Sequence, residues 1–319
     1  MSLTQIPGIL VGHASDYEGL TGCTVILCEG GAVGGVDVRG SATGTSEFDL
    51  LNPLNVTDRI NAVCLAGGSA FGLEASAGVR RYLEHKGIGY DTGVAKVPLV
   101  PAAILFDLAI GKANAHPTRE MGEAASAAAT NKPVVEGAVG AGTGATVGKI
   151  LGMKQAMKSG IGSATVSLPN GVLVSALAAV NAFGDVVDPA TGKIIAGARK
   201  AADSSDFANT AEVLKSGRRG GFAASHTTLV VVATNARLTK VMANKLAQFS
   251  SIGVARSISP VWTMYDGDVT LALSLGTLEA DINALGVAAA EAVSQSIVRA
   301  VRLAPTLGGV PGLQNGDSH

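Results

Sequence analysis

The segment TTLVVVATN at 227–235 carries an apolar core, Leu229–Ala233, with no polar residue at either alternate position. A strand with one face in water alternates apolar and polar side chains; a strand that does not is covered on both faces. TGCTVILC (21–28), INAVCLAG (60–67) and DVTLALSL (268–275) read the same way. Residues 161–187 read as two strands about a Pro-Asn-Gly turn. Between these runs lie alanine-rich stretches of helical period. One covers 69–87, with Phe71, Ala75, Val79 and Leu83 on one face and Gly87 as terminator. Others cover 119–130, Thr239–Ile258 and 278–302. Two-faced strands interleaved with helices predict a layered α/β domain. No linker divides the chain. The weakest stretch, 203–226, is expected to be an exposed connector inside one domain, and the tail from Ala304 to be exposed and partly mobile.

With 47% hydrophobic but only 4% aromatic residues, the core must be filled by alanine, valine and leucine, and any pocket shaped by small aliphatic side chains. The 42 glycines fall between apolar runs without a repeat, which implies tight turns and close backbone packing. A net charge of −1 with scattered basic residues gives no electrostatic case for nucleic acid or a membrane surface. The N-terminal stretch lacks the charged and apolar regions of a signal peptide, and no uninterrupted apolar run is long enough to predict a membrane span. Cys23, Cys28 and Cys64 are odd in number and form no CxxC pair, which fits buried thiols in a reducing compartment; a cytoplasmic location is the expectation.

Familiar cofactor motifs fail on spacing. GAVGAGTGATVGKI (137–150) resembles a phosphate-binding loop, but Thr143 stands where its first glycine belongs and Ile150 where Ser or Thr belongs. GGSAFGL (67–73) lacks the dinucleotide spacing. His13, His85, His116, His226 and His319 form no i,i+4 pair, and there is no HExxH or GxSxG. Neither a metal nor a cofactor is expected.

Thr227 raises a different chemistry. A mid-chain threonine hydroxyl has no built-in base. If the preceding bond is broken, its own α-amine becomes an adjacent base with an ordinary pKa of ~7.7–8.0. A neighbouring lysine would lower that value and a carboxylate would raise it, so such a site needs both signs. Asp266 and Asp268 in YDGDVTLALS, Lys149 in TGATVGK and Asn181 in AAVNAFGDVV can supply them. If extended, Asp266 and Asp268 share a face, and Gly267 admits another backbone. Taken singly, each has an ordinary alternative: a DG turn with two solvated acids, a surface lysine, an Asx turn.

Together with IPGILVGHASDYEGLTGCTVIL, RGSATGTSEFDLL, GGSAFGLEA and VPLVPAAILFDL, these segments resemble the self-processing family of L-aminopeptidase/D-amino-acid esterases, β-peptidyl aminopeptidases and nylon-oligomer hydrolases, over nearly the whole chain. The resemblance implies a four-layer αββα-like sandwich of the N-terminal-nucleophile hydrolase type. It implies self-cleavage between His226 and Thr227 into 1–226 and 227–319, with homo-oligomers, often tetramers. By the same resemblance Thr227 is the nucleophile, Lys149 the lysine beside it, and Asn181 a contributor to the oxyanion site. Asp266 and Asp268 are the acidic pair that fixes the new amine, as in the nylon-oligomer branch. Two departures stand out. Phe106 takes the place of an expected tyrosine in the substrate pocket, and His226 precedes the nucleophile where Asn or Gly is usual. The implied substrates are short peptides, amino-acid amides or esters, and β- or ω-amino oligomers. An acyltransferase of the ornithine acetyltransferase type and an unprocessed ligand-binding relative are the alternatives.

Overall fold

The computed structural model describes residues 1–218 and 226–314. Its spine is a nine-stranded mixed sheet. The principal strands are β1 (Leu10–Asp16), β2 (Thr21–Val38), β3 (Arg59–Ala66), β4 (Ala102–Ile104), β5 (Ile161–Ser167), β6 (Leu173–Asn181), β7 (Thr227–Ala236) and β8 (Val269–Leu278). They run in the order β5-β6-β7-β8-β2-β3-β4, followed by the two-residue strand Thr45–Ser46, with β1 also on β2. The β7–β8 and β3–β4 pairs are parallel; the other pairs are antiparallel.

Strand β2 runs well past the predicted 21–28 and serves both halves of this sheet. Its residues 33–38 pair with β8, while 23–27 pair with β3, and the register shifts between Leu27 and Ala32. The sheet thereby folds over on itself, and three separate apolar cores show the layering. Val174, Ala176, Ala178, Val230, Val232 and Ala272 face Leu246, Leu285, Val293 and Ile297 of the helices α4 (Lys240–Ser257) and α5 (Ile282–Arg302). The opposite faces of the same strands, through Leu177, Leu229, Val231, Leu271 and Leu273, meet Ile26, Ile60, Val63 and Leu65. Beyond these, Val25, Leu27, Ala62 and Cys64 cover α1 (Ala75–His85) and α2 (Arg119–Ala127) through Ala75, Val79, Leu83 and Ala125. The result is helix, sheet, sheet, helix, as the two-faced strands require. Each Leu or Val so buried contributes about 1.5–3 kcal/mol relative to exposure.

Caps fix the helix starts. Thr118, Thr239 and Asp281 each accept a first-turn backbone N–H, so α5 begins at Ile282 and not at 278. By length and composition α5 could cross a membrane, but most of it is buried in the α4/α5 core. The segment 69–87 departs from a single helix. Gly68 and Ser69 both take positive φ (78° and 54°), and the chain enters through a 3₁₀ turn, Ser69–Glu74. The tighter period swings Phe71 outward to 61% exposure, stacked on His116, off the face shared by Ala75, Val79 and Leu83.

Two expected loose segments are built in. Within 203–226, Asn209 caps a short helix, α3 (Thr210–Lys215), whose Val213 and Leu214 pack beside Phe183 and Ile150; residues 219–225 of that expectation lie outside the described ones. In the tail, Ala304 and Val310 are buried and the Pro311 carbonyl accepts from Lys158 N; residues 315–319, with His319, lie outside the described ones.

Candidate active site

At one end of the folded sheet the register of the central strands brings distant residues together. Asn181 closes β6 opposite Thr227, the first residue of β7. One residue earlier, His226 bridges to Asp266 in the parallel sense, which continues the β7–β8 ladder toward the loop before β8. The His226–Thr227 peptide is therefore held in a sheet-like grip: His226 N donates to the Tyr265 carbonyl at 2.7 Å, and the His226 carbonyl accepts from Gly267 N at 2.5 Å. Gly267 is needed here because a Cβ would lie 2.5 Å from the Ala42 carbonyl and 2.7 Å from Thr227 Oγ1. The RGSA loop completes the grip: Arg39 N and Gly40 N donate to the Asp268 carbonyl, and Ala42 N to that of Asp266.

Thr227 is fully buried, and its Oγ1 has no hydrogen-bond partner among the described residues. A buried hydroxyl without a partner costs about 1–3 kcal/mol, so its retention calls for a reason. Beside it the Lys149 amine donates to Asn181 Oδ1 (2.6 Å) and to the Asn181 carbonyl (3.0 Å), and lies 3.2 Å from His226 Nδ1. Lys149 reaches this place because Gly148 N and Lys149 N bond the Gly184 and Phe183 carbonyls, and because Gly148 takes φ +71° where a Cβ would strike Ala198 N at 2.0 Å. Burial lowers the Lys149 amine to about 7, against the pull of Asp266, Asp107 and Asp268. A surface lysine it is not. Burial, reinforced by Lys149, lowers His226 to about 2, so its imidazole is neutral.

Neither acid is solvated. Asp266 accepts from Thr263 Oγ1 (2.6 Å), Thr263 N (3.0 Å) and Phe183 N (3.2 Å). Asp268 accepts from Thr228 N at 2.5 Å. Burial raises both carboxyls above the usual range. Asp268 is raised well above it, by burial first and then by the Asp266 charge beside it. The Asn181 amide N–H donates to the Phe106 carbonyl at 2.9 Å, and the donor on the His226 carbonyl is Gly267 N. With Lys149 and Thr146 N both donating to Oδ1, that side-chain orientation is fixed.

A cavity of about 390 Å³ leads to this point, lined by Phe106, Ile110, Ile150, Leu151, Met153 and other residues, with Lys149 and His226 in its wall. Its walls are larger than the small aliphatics expected, and Phe106 contributes a ring. His226 is among the lining residues and its neighbour Thr227 is not. Phe183 and Tyr265 belong to the site without having been singled out by sequence, and Gly267, read there only as admitting another backbone, also lends its N–H. The His226 ring packs on Phe183 with centroids 5.4 Å apart, and Phe183 in turn on Tyr265 at 5.0 Å.

Comparison with known proteins agrees with this architecture. The family model "Peptidase family S58" matches residues 1–315. An uncharacterized aminopeptidase of Mycobacterium tuberculosis (strain ATCC 25618 / H37Rv) is 39% identical, over 97% of this chain and 96% of its own. A 6-aminohexanoate-oligomer endohydrolase of Kocuria sp. (strain KY2) is 31% identical, over 93% of this chain and 85% of its own. Among solved structures, the L-aminopeptidase D-Ala-esterase/amidase of Ochrobactrum anthropi, described as a variant of the Ntn hydrolase fold, superposes with a TM-score of 0.71 at 19% identity. That match covers 97% of this chain and 88% of the other.

Proposed function

Since the chain belongs to peptidase family S58 and is a hydrolase of the N-terminal-nucleophile fold, we propose that it cuts itself between His226 and Thr227 and then hydrolyses amides through the freed threonine. The observation that carries this reading is the unpartnered, fully buried Thr227 Oγ1, next to a peptide clamped by Tyr265 and Gly267, with a buried lysine, its amine lowered to about 7, on the neighbouring His226 and Asn181.

In the uncut chain Thr227 has no α-amine of its own, so another base must take the hydroxyl proton. The neutral Lys149 amine fills that role. Thr227 Oγ attacks the His226 carbonyl carbon, and the Gly267 N–H stabilises the oxyanion. The C–N bond breaks, the proton passes to the leaving nitrogen, and an ester links His226 to Thr227 Oγ. Water then hydrolyses that ester, leaving a His226 carboxylate, a free hydroxyl and a new α-amine at Thr227. Asp268, already bonded to Thr228 N, and Asp266, bridged to His226, are the acids that would accept from that amine. In turnover the same hydroxyl attacks the substrate carbonyl, the α-amine takes and returns the proton, and water releases the acyl group. With His226 withdrawn, the cavity would open onto Thr227 and receive the acyl side of the substrate.

The substrates of this reading are short peptides, amino-acid amides or esters, and β- or ω-amino oligomers, in keeping with relatives that are an aminopeptidase and an oligomer endohydrolase. Denaturing electrophoresis with N-terminal sequencing tests it. The expected result is two fragments, the smaller beginning Thr-Thr-Leu, and a single uncut, inactive band for Thr227→Ala. A wild-type chain that stays whole over long incubation at several pH values would end the proposal.

A further inference from the structure

Two buried charged residues outside the proposed machinery touch the same stretch of chain. Lys158 is fully buried, and its amine donates to the carbonyls of Gly142 (3.1 Å), Ala145 (2.8 Å) and Ser159 (2.6 Å). An ammonium has three donors, so all three are spent on backbone oxygens and none on an acid. Asp107, 3% exposed in the cavity wall, accepts from Thr21 Oγ1 (2.8 Å) and Gly68 N (2.6 Å). It also abuts Gly144, where a Cβ would lie 2.7 Å from Asp107 Oδ2. The segment thus held, Gly142–Ala145, runs directly into Thr146, whose N–H orients Asn181, and then to Lys149. Burying an amine and a carboxyl without a direct ion pair is costly. Holding a loop would not require it, since neutral groups or a water can satisfy three carbonyls.

We infer that Asp107 and Lys158 are positioning residues of this site, an oppositely charged buried pair that jointly holds the Gly142–Ala145 segment and balances the charge around the Lys149 amine. The inference rests on Lys149 being the working amine. The other groups facing Lys149 are Asp266, Asp268 and the neutral His226, with Arg218 in the same cavity wall; Asp185, behind Gly148, is spent on Ala198 N and Thr210. Burial lowers Lys158 to about 7 and raises Asp107 to about 6, and the two act on Lys149 in opposite senses: Asp107 favours its charge and Lys158 opposes it.

The test uses the uncleavable Thr227→Ala chain, so that it needs no catalysis. Competitive labelling with acetic anhydride across a pH series, read at Lys149 by mass spectrometry, gives the midpoint of that amine. Asp107→Asn should move the midpoint down and Lys158→Met should move it up, each by about half a unit or more. Thr21→Val, which only weakens the support of the Asp107 charge, should move it down by less. Should Lys158→Met not fold, the near-isosteric Asp107→Asn and the mild Thr21→Val decide the matter between them. Midpoints that stay put, or that move the same way in Asp107→Asn and Lys158→Met, would reduce the pair to a structural staple. A wild-type chain that neither cuts nor turns over would instead sink the function proposed for Lys149, leaving the labelling result to stand by itself.

Discussion

Strands β6–β8 and the segment Gly140–Ile150 are buried alike, yet they are held by opposite means. In the strands most residues sit in two ladders, with side chains divided between two apolar cores, so the load is spread over many equivalent contacts. The segment has only a 3₁₀ turn and a two-residue bridge of its own. It depends on individual polar bonds, among them three from Lys158, those of Gly148 N and Lys149 N to the Gly184 and Phe183 carbonyls, and those that tie Thr146 and Lys149 to Asn181. Redundant packing sets stability; sparse polar bonds set where the reacting groups stand.

That division can be broken by substitution. Lys149→Met should carry the largest effect, a fall of about 10²–10⁴-fold in self-cleavage rate, the range for loss of a proton-transfer group. Its urea midpoint should not fall, because an apolar chain replaces a buried amine; equal losses in rate and stability would erase the distinction. Gly267→Ala should slow cleavage by about 10²–10³-fold, as for a lost oxyanion donor. It should also destabilise, since the new Cβ meets the Ala42 carbonyl at 2.5 Å. Leu271→Ala, fully buried between the two sheet layers, should cost about 2–5 kcal/mol in chemical unfolding while cleavage proceeds near the parent rate. A cleavage defect there as large as that of Lys149→Met would mean that core and site are not separable. Asp281→Ala, which removes the α5 cap on Asn283 N and Ala284 N, should cost about 1 kcal/mol and leave cleavage untouched.

The same contrast explains what could be read from sequence. Leu229–Ala233, Leu271–Leu273 and the helix stripes follow periods set by the backbone, so layers and strand positions were legible. Thr227, Lys149, Asn181, Asp266 and Asp268 could be singled out as residue types, but their convergence depends on the register of β6, β7 and β8, which no local pattern encodes. Lys158 gave no signal at all: in MKSGIG it looks like any surface lysine, and only the carbonyls folded around it reveal its burial. Val213 and Leu214 were hidden for a related reason. The polar surroundings of 203–218 suggested a connector, while the partners of those two, Phe183 and Ile150, come from elsewhere in the chain. Phe71 misled because apolar spacing does not distinguish a 3₁₀ entry from the helix that follows it.

The place of β7 and β8 in the sheet has a consequence for the life history of the molecule. Both strands follow the proposed cut, and the pair is flanked by β6 on one edge and β2 on the other, both of which precede it. The smaller fragment would therefore be stitched to the larger along two edges and could not leave without the sheet coming apart. Folding would have to come first, because it is the fold that presents the bond to be broken. After the break, the same sheet would be a two-chain object whose reassembly from denaturant depends on concentration, where the parent's does not. The scission would work as a ratchet: it records in covalent structure that the chain once reached its native state, and the way back to a single folding chain is closed.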